Sequence, residues 1–111
     1  MSATWWRVKL APAAERDFSG IVQWTRKNFG ARQAQIYTAT LRNALQALHS
    51  GPDIVGAKRR DDIAPGIHTL HVARNGRKGR HFVVFRAGKD DVVEVLRLLH
   101  DSMDLPGHSL S

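Results

Sequence analysis

Cysteine is absent from these 111 residues, which removes a disulfide framework and any thiolate metal site. Tyrosine occurs once and proline four times. No apolar run approaches the roughly 20 residues that span a bilayer. The opening MSATWWRVKL lacks the long apolar stretch and small-residue cleavage site of a secretory signal. Internal repeats and low-complexity segments are also missing. These absences point to one domain over residues 1–111, cytoplasmic, with no membrane partner and no cofactor.

Acid is the other scarce commodity. Ten Asp and Glu face 17 Lys and Arg, a formal net charge of +7, and the sequence pI is about 10.8. The first fifty residues set seven cations against only Glu15 and Asp17. Further on, KRR at 58–60 and RNGRKGR at 74–80 concentrate positive charge in two loops. Such a balance favours a polyanion or an acidic protein as partner, against the plainer reading of a solvated basic surface.

The apolar pattern fixes the elements. WWRVKL (5–10) alternates and is rich in β-formers, a strand signal. Pro12 suits a helix first turn, where its missing N–H costs nothing, and Glu15 and Asp17 sit on the favourable side of the dipole. Phe18, Ile21, Val22, Thr25 and Phe29 fall on one helical face, which Gly30 ends. Ala34, Tyr37, Leu41, Ala44, Leu45 and Leu48 repeat with three- and four-residue steps until SGP at 50–52. So short a break predicts an antiparallel helical hairpin. Residues 53–65 read as loop, and 66–73, 80–87 and 91–99 as consecutive strands, with Asn75-Gly76 a tight-turn signal. The order β-α-α-β-β-β predicts an α+β fold, the hairpin on one face of a small, mostly antiparallel sheet.

Site chemistry is thinner. His68 and His71, three apart on a strand, point to opposite faces and share no ion. His81 and His108 have no ligand-set spacing, so no metal is expected. Ser102 or Ser109 beside His100 suggests a nucleophile and base, but a chain end is a poor scaffold for that geometry. A local hydrogen bond pinning the tail accounts for His100 and Asp104 better. On the last strand, strict alternation puts Val93, Val95 and Leu99 on one face and Val92, Leu96 and Leu98 on the other. Glu94 and Arg97 interrupt opposite faces. With helices on one side, this predicts an apolar strip free for a partner's segment. Trp5 and Trp6 are adjacent on a strand and face opposite ways. Trp24 edges the stripe of the first helix, as rim packing or as an interface anchor.

Three segments, LAPAAERDFSGIVQWTRKNFGARQAQIYTATLRNALQAL, RRDDIAPGIHTL and HFVVFRAGKDDVVEVLRLLHDSMDL, together resemble the ParE branch of the ParE/RelE toxin superfamily. The likeness runs from about residue 8 to 108. It implies a toxin of a type II toxin–antitoxin module that inhibits DNA gyrase by binding. It also implies a small acidic ParD-like antitoxin, giving a heterotetramer or larger, with operator DNA bound only through that antitoxin. For target contact the basic loops nominate Arg59, Arg60, Arg74, Arg77, Lys78 and Arg80. For the antitoxin the apolar strip nominates Trp24, Val93, Val95, Leu96, Leu98 and Met103. The alternative is a ribosome-dependent mRNA endonuclease of the RelE kind, drawing on His81, Arg86, Lys58 and His100. The chain has no C-terminal tyrosine of the sort that branch often uses, since Tyr37 lies on the apolar repeat of the second helix. A toxin fold kept only as its partner's corepressor is a third possibility.

Overall fold

The computed structural model describes residues 5–107; His108 and Ser109 lie outside that range. Strand β1 (Arg7–Leu10) leads into helix α1 (Pro12–Phe29) and helix α2 (Ala31–Ala47), with a 3-10 turn at Leu48–Ser50. Strands β2 (Lys58–Arg59), β3 (His68–His71), β4 (His81–Ala87) and β5 (Val92–His100) follow, then a 3-10 turn at Leu105–Gly107. The architecture is α+β as expected, with one addition. Residues 58–59, within the expected loop, form a short strand, Lys58 pairing with Thr69 and Arg59 with His68. Two exposed cations carry no apolar alternation, so the pattern has nothing to signal there.

The five strands run in the order β1-β5-β4-β3-β2. β1 lies parallel to β5, Arg7 opposite Val92 and Leu10 opposite Val95, and the other pairings are antiparallel. The chain thus makes its one long crossover through the hairpin and finishes in the sheet by short turns. Gly30 joins the helices at φ 93°, ψ 169°, a backbone region that a side chain strains and glycine does not. At the other turn Asn75 and Gly76 both have positive φ, and Arg77 N–H donates to the Arg74 carbonyl at 3.0 Å. The tight turn is therefore where Asn-Gly placed it.

Both faces of the sheet are covered. Ala14, Leu41, Ala44 and Leu48 of the helical layer bury against Leu70, Val72, Val83, Phe85, Val93, Val95 and Leu98, with Phe18, Ile21 and Val22 packed alongside. Burying each such Val, Leu or Phe side chain is worth roughly 1.5–3 kcal/mol. On the opposite face, Val84 and Leu99 pack with Ile67 and Leu105, joined by Ile63, Ala64, Phe82 and Leu96. The segment before β3 and the tail after β5 therefore close that face from within the chain.

This corrects the free apolar strip. Val93 and Val95 are fully buried and Leu98 nearly so, under the helices; none of the three is available to a partner. Strict alternation also fails. Phe85 pairs with Val95 but Val84 with Arg97, so Leu96 is an extra residue on β5. Such a bulge shifts the period of two by one residue. Leu98 consequently joins Val93 and Val95 beneath the helices, and Leu99 goes to the far side, the reverse of the expected assignment.

The bulge has its own anchor. Asp17 of α1 accepts Arg97 Nε at 2.7 Å and Nη2 at 3.0 Å, and also the Leu98 N–H at 3.0 Å. One carboxylate thus occupies a backbone donor at the irregularity and ties the first helix to the last strand. A second tie holds the chain start. The Trp6 N–H donates to the His49 carbonyl at 2.9 Å, and His49 Nδ1 donates to the Trp6 carbonyl at 2.7 Å. Trp5 stacks on the same imidazole with centroids 4.2 Å apart, although 69% exposed; Trp6 packs on the core.

Candidate partner-binding groove

Where α1 hands over to α2, their exposed flank faces the loop from residue 76 to 81, and the gap is a groove of about 890 Å³. Trp24, Phe29 and Ile36 form its apolar wall, exposed to 60%, 64% and 47%. Trp24 and Phe29 meet edge-on with centroids 5.7 Å apart. Phe29 continues the apolar stripe in sequence, but it is the last residue of α1 and stays exposed. Single exposed apolar residues are ordinary; three large ones on one concave wall mark a binding surface. Arg77, Lys78 and Arg80 line the facing side.

The floor is a hydrogen-bonded chain. The Arg80 N–H donates to Tyr37 Oη at 3.0 Å, and Tyr37 Oη lies 2.6 Å from His81 Nδ1. Tyr37 thus engages Nδ1 of the ring, the direction of that bond following the tautomer. His81 is a neutral ring at neutral pH. Its pKa agrees: burial first, then the nearby His100, His71 and their charge, outweigh Asp101 and Asp17 and lower it from 6.5 to about 4. Burial is also the largest influence on Tyr37, whose phenol is pushed up. His100 packs edge-on against His81, centroids 5.2 Å apart. Gly79 makes the close approach possible, since a Cβ there would lie 2.5 Å from Val72 Cγ2 and 3.0 Å from Tyr37 Oη.

Asp101 braces the floor from behind. It accepts His71 Nε2 at 2.9 Å and Arg80 Nε at 3.0 Å. The His71 bond first, then Arg80, hold its carboxyl below the usual range. His100 Nδ1 meets Ser102, accepting its backbone N–H at 3.1 Å with the hydroxyl at 2.7 Å. That is a local pin on the tail.

A family profile described as "ParE toxin of type II toxin-antitoxin system, parDE" matches residues 8–105. The chain belongs to the ParE toxin family. Among curated relatives, Toxin ParE1 of Mycobacterium tuberculosis is 29% identical over 99 residues, covering 89% of this chain and 93% of the relative. Toxin ParE of Escherichia coli is 29% identical over 96 residues, covering 86% and 85%. The fold matches a chain of the chromosomal ParDE toxin–antitoxin system of P. aeruginosa, with TM-score 0.70 at 21% identity, over 89% of this chain and 98% of that one. It also matches a chain of the RelBE2 toxin–antitoxin complex of Mycobacterium tuberculosis, with TM-score 0.56 at 20% identity, over 86% and 98%. At those identities the likeness speaks to fold, which is that of the ParE and RelE toxins. The chain is thus the toxin type of a type II toxin–antitoxin module.

The expected site residues of this ParE-family toxin scatter. Of the antitoxin candidates, Trp24 lines the groove, Met103 is 42% exposed on the tail, and Leu96 is half-buried against the second cluster. Of the target cations, Arg59 pairs with Asp61 at 2.9 Å, Arg60 with Asp62 at 2.8 Å and Arg80 with Asp101 at 3.0 Å. Arg74 turns inward: Nη2 donates to the Val55 carbonyl at 3.3 Å, and Nη1 is buried without a partner. Arg77 and Lys78 stay at the groove. Of the ribonuclease set, His81 and His100 meet, but Lys58 lies on the outermost strand β2 and Arg86 at the other end of β4, paired with Glu94. Among the described residues no group of His, Asp or Glu is placed to hold a metal. Phe29, Ile36, Tyr37 and Asp101 were missed as site residues. Ile36 could have been found as a large apolar residue off the core stripe of its helix; the Tyr37–His81 contact, 44 residues apart, left no local signal.

Proposed function

We propose that this toxin inhibits DNA gyrase by binding it, and that an acidic ParD-like antitoxin neutralises it by laying an amphipathic segment in the groove. The observation that carries the binding reading is the state of His81. A neutral imidazole whose Nδ1 is engaged by Tyr37, with its pKa lowered to about 4, is a weak base and holds no imidazolium proton to give near neutral pH. A general base needs a free lone pair, and a general acid a proton it can release near neutral pH. Lys58 and Arg86, the cations expected for that chemistry, lie remote from the ring. The groove supports the antitoxin reading by its wall of Trp24, Phe29 and Ile36 beside Arg77 and Lys78. Apolar anchors of an incoming helix or strand meet the wall, and its carboxylates meet the rim. The complex is a heterotetramer or larger.

The meeting of His81, His100 and Tyr37 is what favours a second reading, the ribosome-dependent mRNA endonuclease. One pair of measurements separates them. Supercoiling by purified gyrase should fall at micromolar toxin and recover when the antitoxin is added. Unchanged supercoiling, together with discrete cuts in translated message that vanish in His81→Ala, refutes the proposal.

A further inference from the structure

We propose a second binding surface, on the outer face of the helical hairpin, that takes the phosphate backbone of duplex nucleic acid. Arg26 at the end of α1, Arg42 on α2 and Arg77 from the β3–β4 turn border a shallow groove of about 640 Å³. Gln35, Thr38 and Asn43 lie between them. Asn43 Oδ1 accepts the Asn75 amide at 3.4 Å, which leaves its own NH2 as a donor.

Charge selects the ligand class. No carboxylate lines this groove, and none occurs in sequence between Asp17 and Asp53. Unlike Arg59, Arg60 and Arg80, these arginines have no ion pair among the described residues. Composition then decides between two polyanions. The apolar lining is Val22 and three alanines, without the large side chain that an acidic peptide would use as an anchor. Guanidinium forks and side-chain amides, spread along a helix, match repeated phosphate oxygens. On α2 these positions, 35, 38 and 42, lie roughly 90° round the helix from the buried stripe of 34, 41 and 48. The surface is thus distinct from the apolar groove, and a duplex here would be touched by the toxin itself rather than through a partner.

The test uses the full chain and a labelled duplex of arbitrary sequence, about 20 base pairs long, followed by anisotropy across a salt series. Each phosphate neutralised contributes about 0.9 to the slope of log K against log salt, so R26Q/R42Q should flatten the slope by roughly 2. The charge-matched R7Q/K9Q, on the β1 edge, should leave it near the wild-type value. All four side chains are exposed, and circular dichroism verifies that both variants stay folded. Equal flattening by both variants means diffuse attraction and overturns the proposal. So does no flattening by R26Q/R42Q, or tight binding of a polyglutamate peptide with no binding of the duplex.

Discussion

Tyr37→Phe removes one oxygen and tests whether the groove floor is built as described. That oxygen accepts the Arg80 N–H and shares a hydrogen bond with His81 Nδ1. A neutral hydrogen bond contributes about 0.5–1.5 kcal/mol net. Arg80 is exposed and its N–H rehydrates, which puts that bond at the low end; His81 is half-buried, which puts the other at the high end. The sum is about 2 kcal/mol, and with a urea m-value near 1.5 kcal/mol/M the midpoint should drop by roughly 1.3 M. The substitution has a second readout that lost packing alone would not move. The phenol occupies His81 Nδ1. In its absence Nδ1 is free to take a proton, and one pKa unit corresponds to about 1.4 kcal/mol. The midpoint of the His81 ring-proton resonance should therefore rise by about one unit toward its ordinary value. A stability loss below about 0.5 kcal/mol with an unmoved His81 titration would show that the phenol does not engage Nδ1, and the reading of the groove floor would fall with it.

Asp17→Ala should cost about 2 kcal/mol by thermal or urea unfolding, below the 3–5 of a fully buried pair because both side chains keep some solvent contact. Asp17→Ala/Arg97→Ala should be less destabilised than the sum of the single changes, and strict additivity would deny the coupling. Acid should weaken the fold in two windows. The unfolded chain takes up the His81 proton near pH 6.5 and the folded one only near 4, so stability falls as pH drops across that interval, by at most about 3 kcal/mol. Asp101, whose folded pKa is lowered, contributes stability that is lost only below the ordinary carboxylate range. Urea midpoints from pH 7 down to about pH 4, compared with His81→Gln, check the first window, which the variant should flatten. Trp24→Ala, at a residue 60% exposed in the free toxin, should weaken antitoxin binding by about 30-fold with little loss of stability, an effect of roughly 2 kcal/mol. Calorimetry showing full affinity would remove Trp24 from the interface.

The sequence carried the frame of this fold because its signals are local. Pro12 and Gly30 bracket α1, and the spacing of Ala34, Leu41, Ala44 and Leu48 marks the buried stripe of α2. The bulge at Leu96 was illegible because alternation assumes an unbroken ladder, and no residue type announces the extra position. Its consequence reached function, since the same slip moved Leu98 from an imagined docking strip into the core. Arg74 failed for a different reason. A cation in a basic loop reads as surface, but this one reaches back to Val55 across 19 residues. Charge counts also hide pairing. Arg59, Arg60 and Arg80 look as available as Arg77 until Asp61, Asp62 and Asp101 are seen beside them. The groove itself forms between segments far apart in sequence; Trp24, its cations, His81 and His100 are nameable from the sequence one by one, but their convergence is not.

One helix organises both surfaces. Around α2, positions 34, 41, 44 and 48 face the sheet, 33, 36 and 40 flank the apolar groove, and 35, 38 and 42 flank the basic one. A helix turning 100° per residue can present three such sectors only if each is chemically distinct. The absence of acid from residue 18 to 52 keeps the third sector from closing into salt bridges with its own neighbours. Arg77 borders both grooves, and its Nη1 lies 3.5 Å from Thr40 Oγ1 at the flank of the apolar one. An acidic segment bound there would compete for Arg77 with a phosphate on the other side. Occupancy of the two surfaces would then be coupled through a single guanidinium. The coupling is antagonistic, so it predicts that antitoxin loads less tightly onto duplex-bound toxin and, by thermodynamic reciprocity, that antitoxin weakens duplex binding by the same factor.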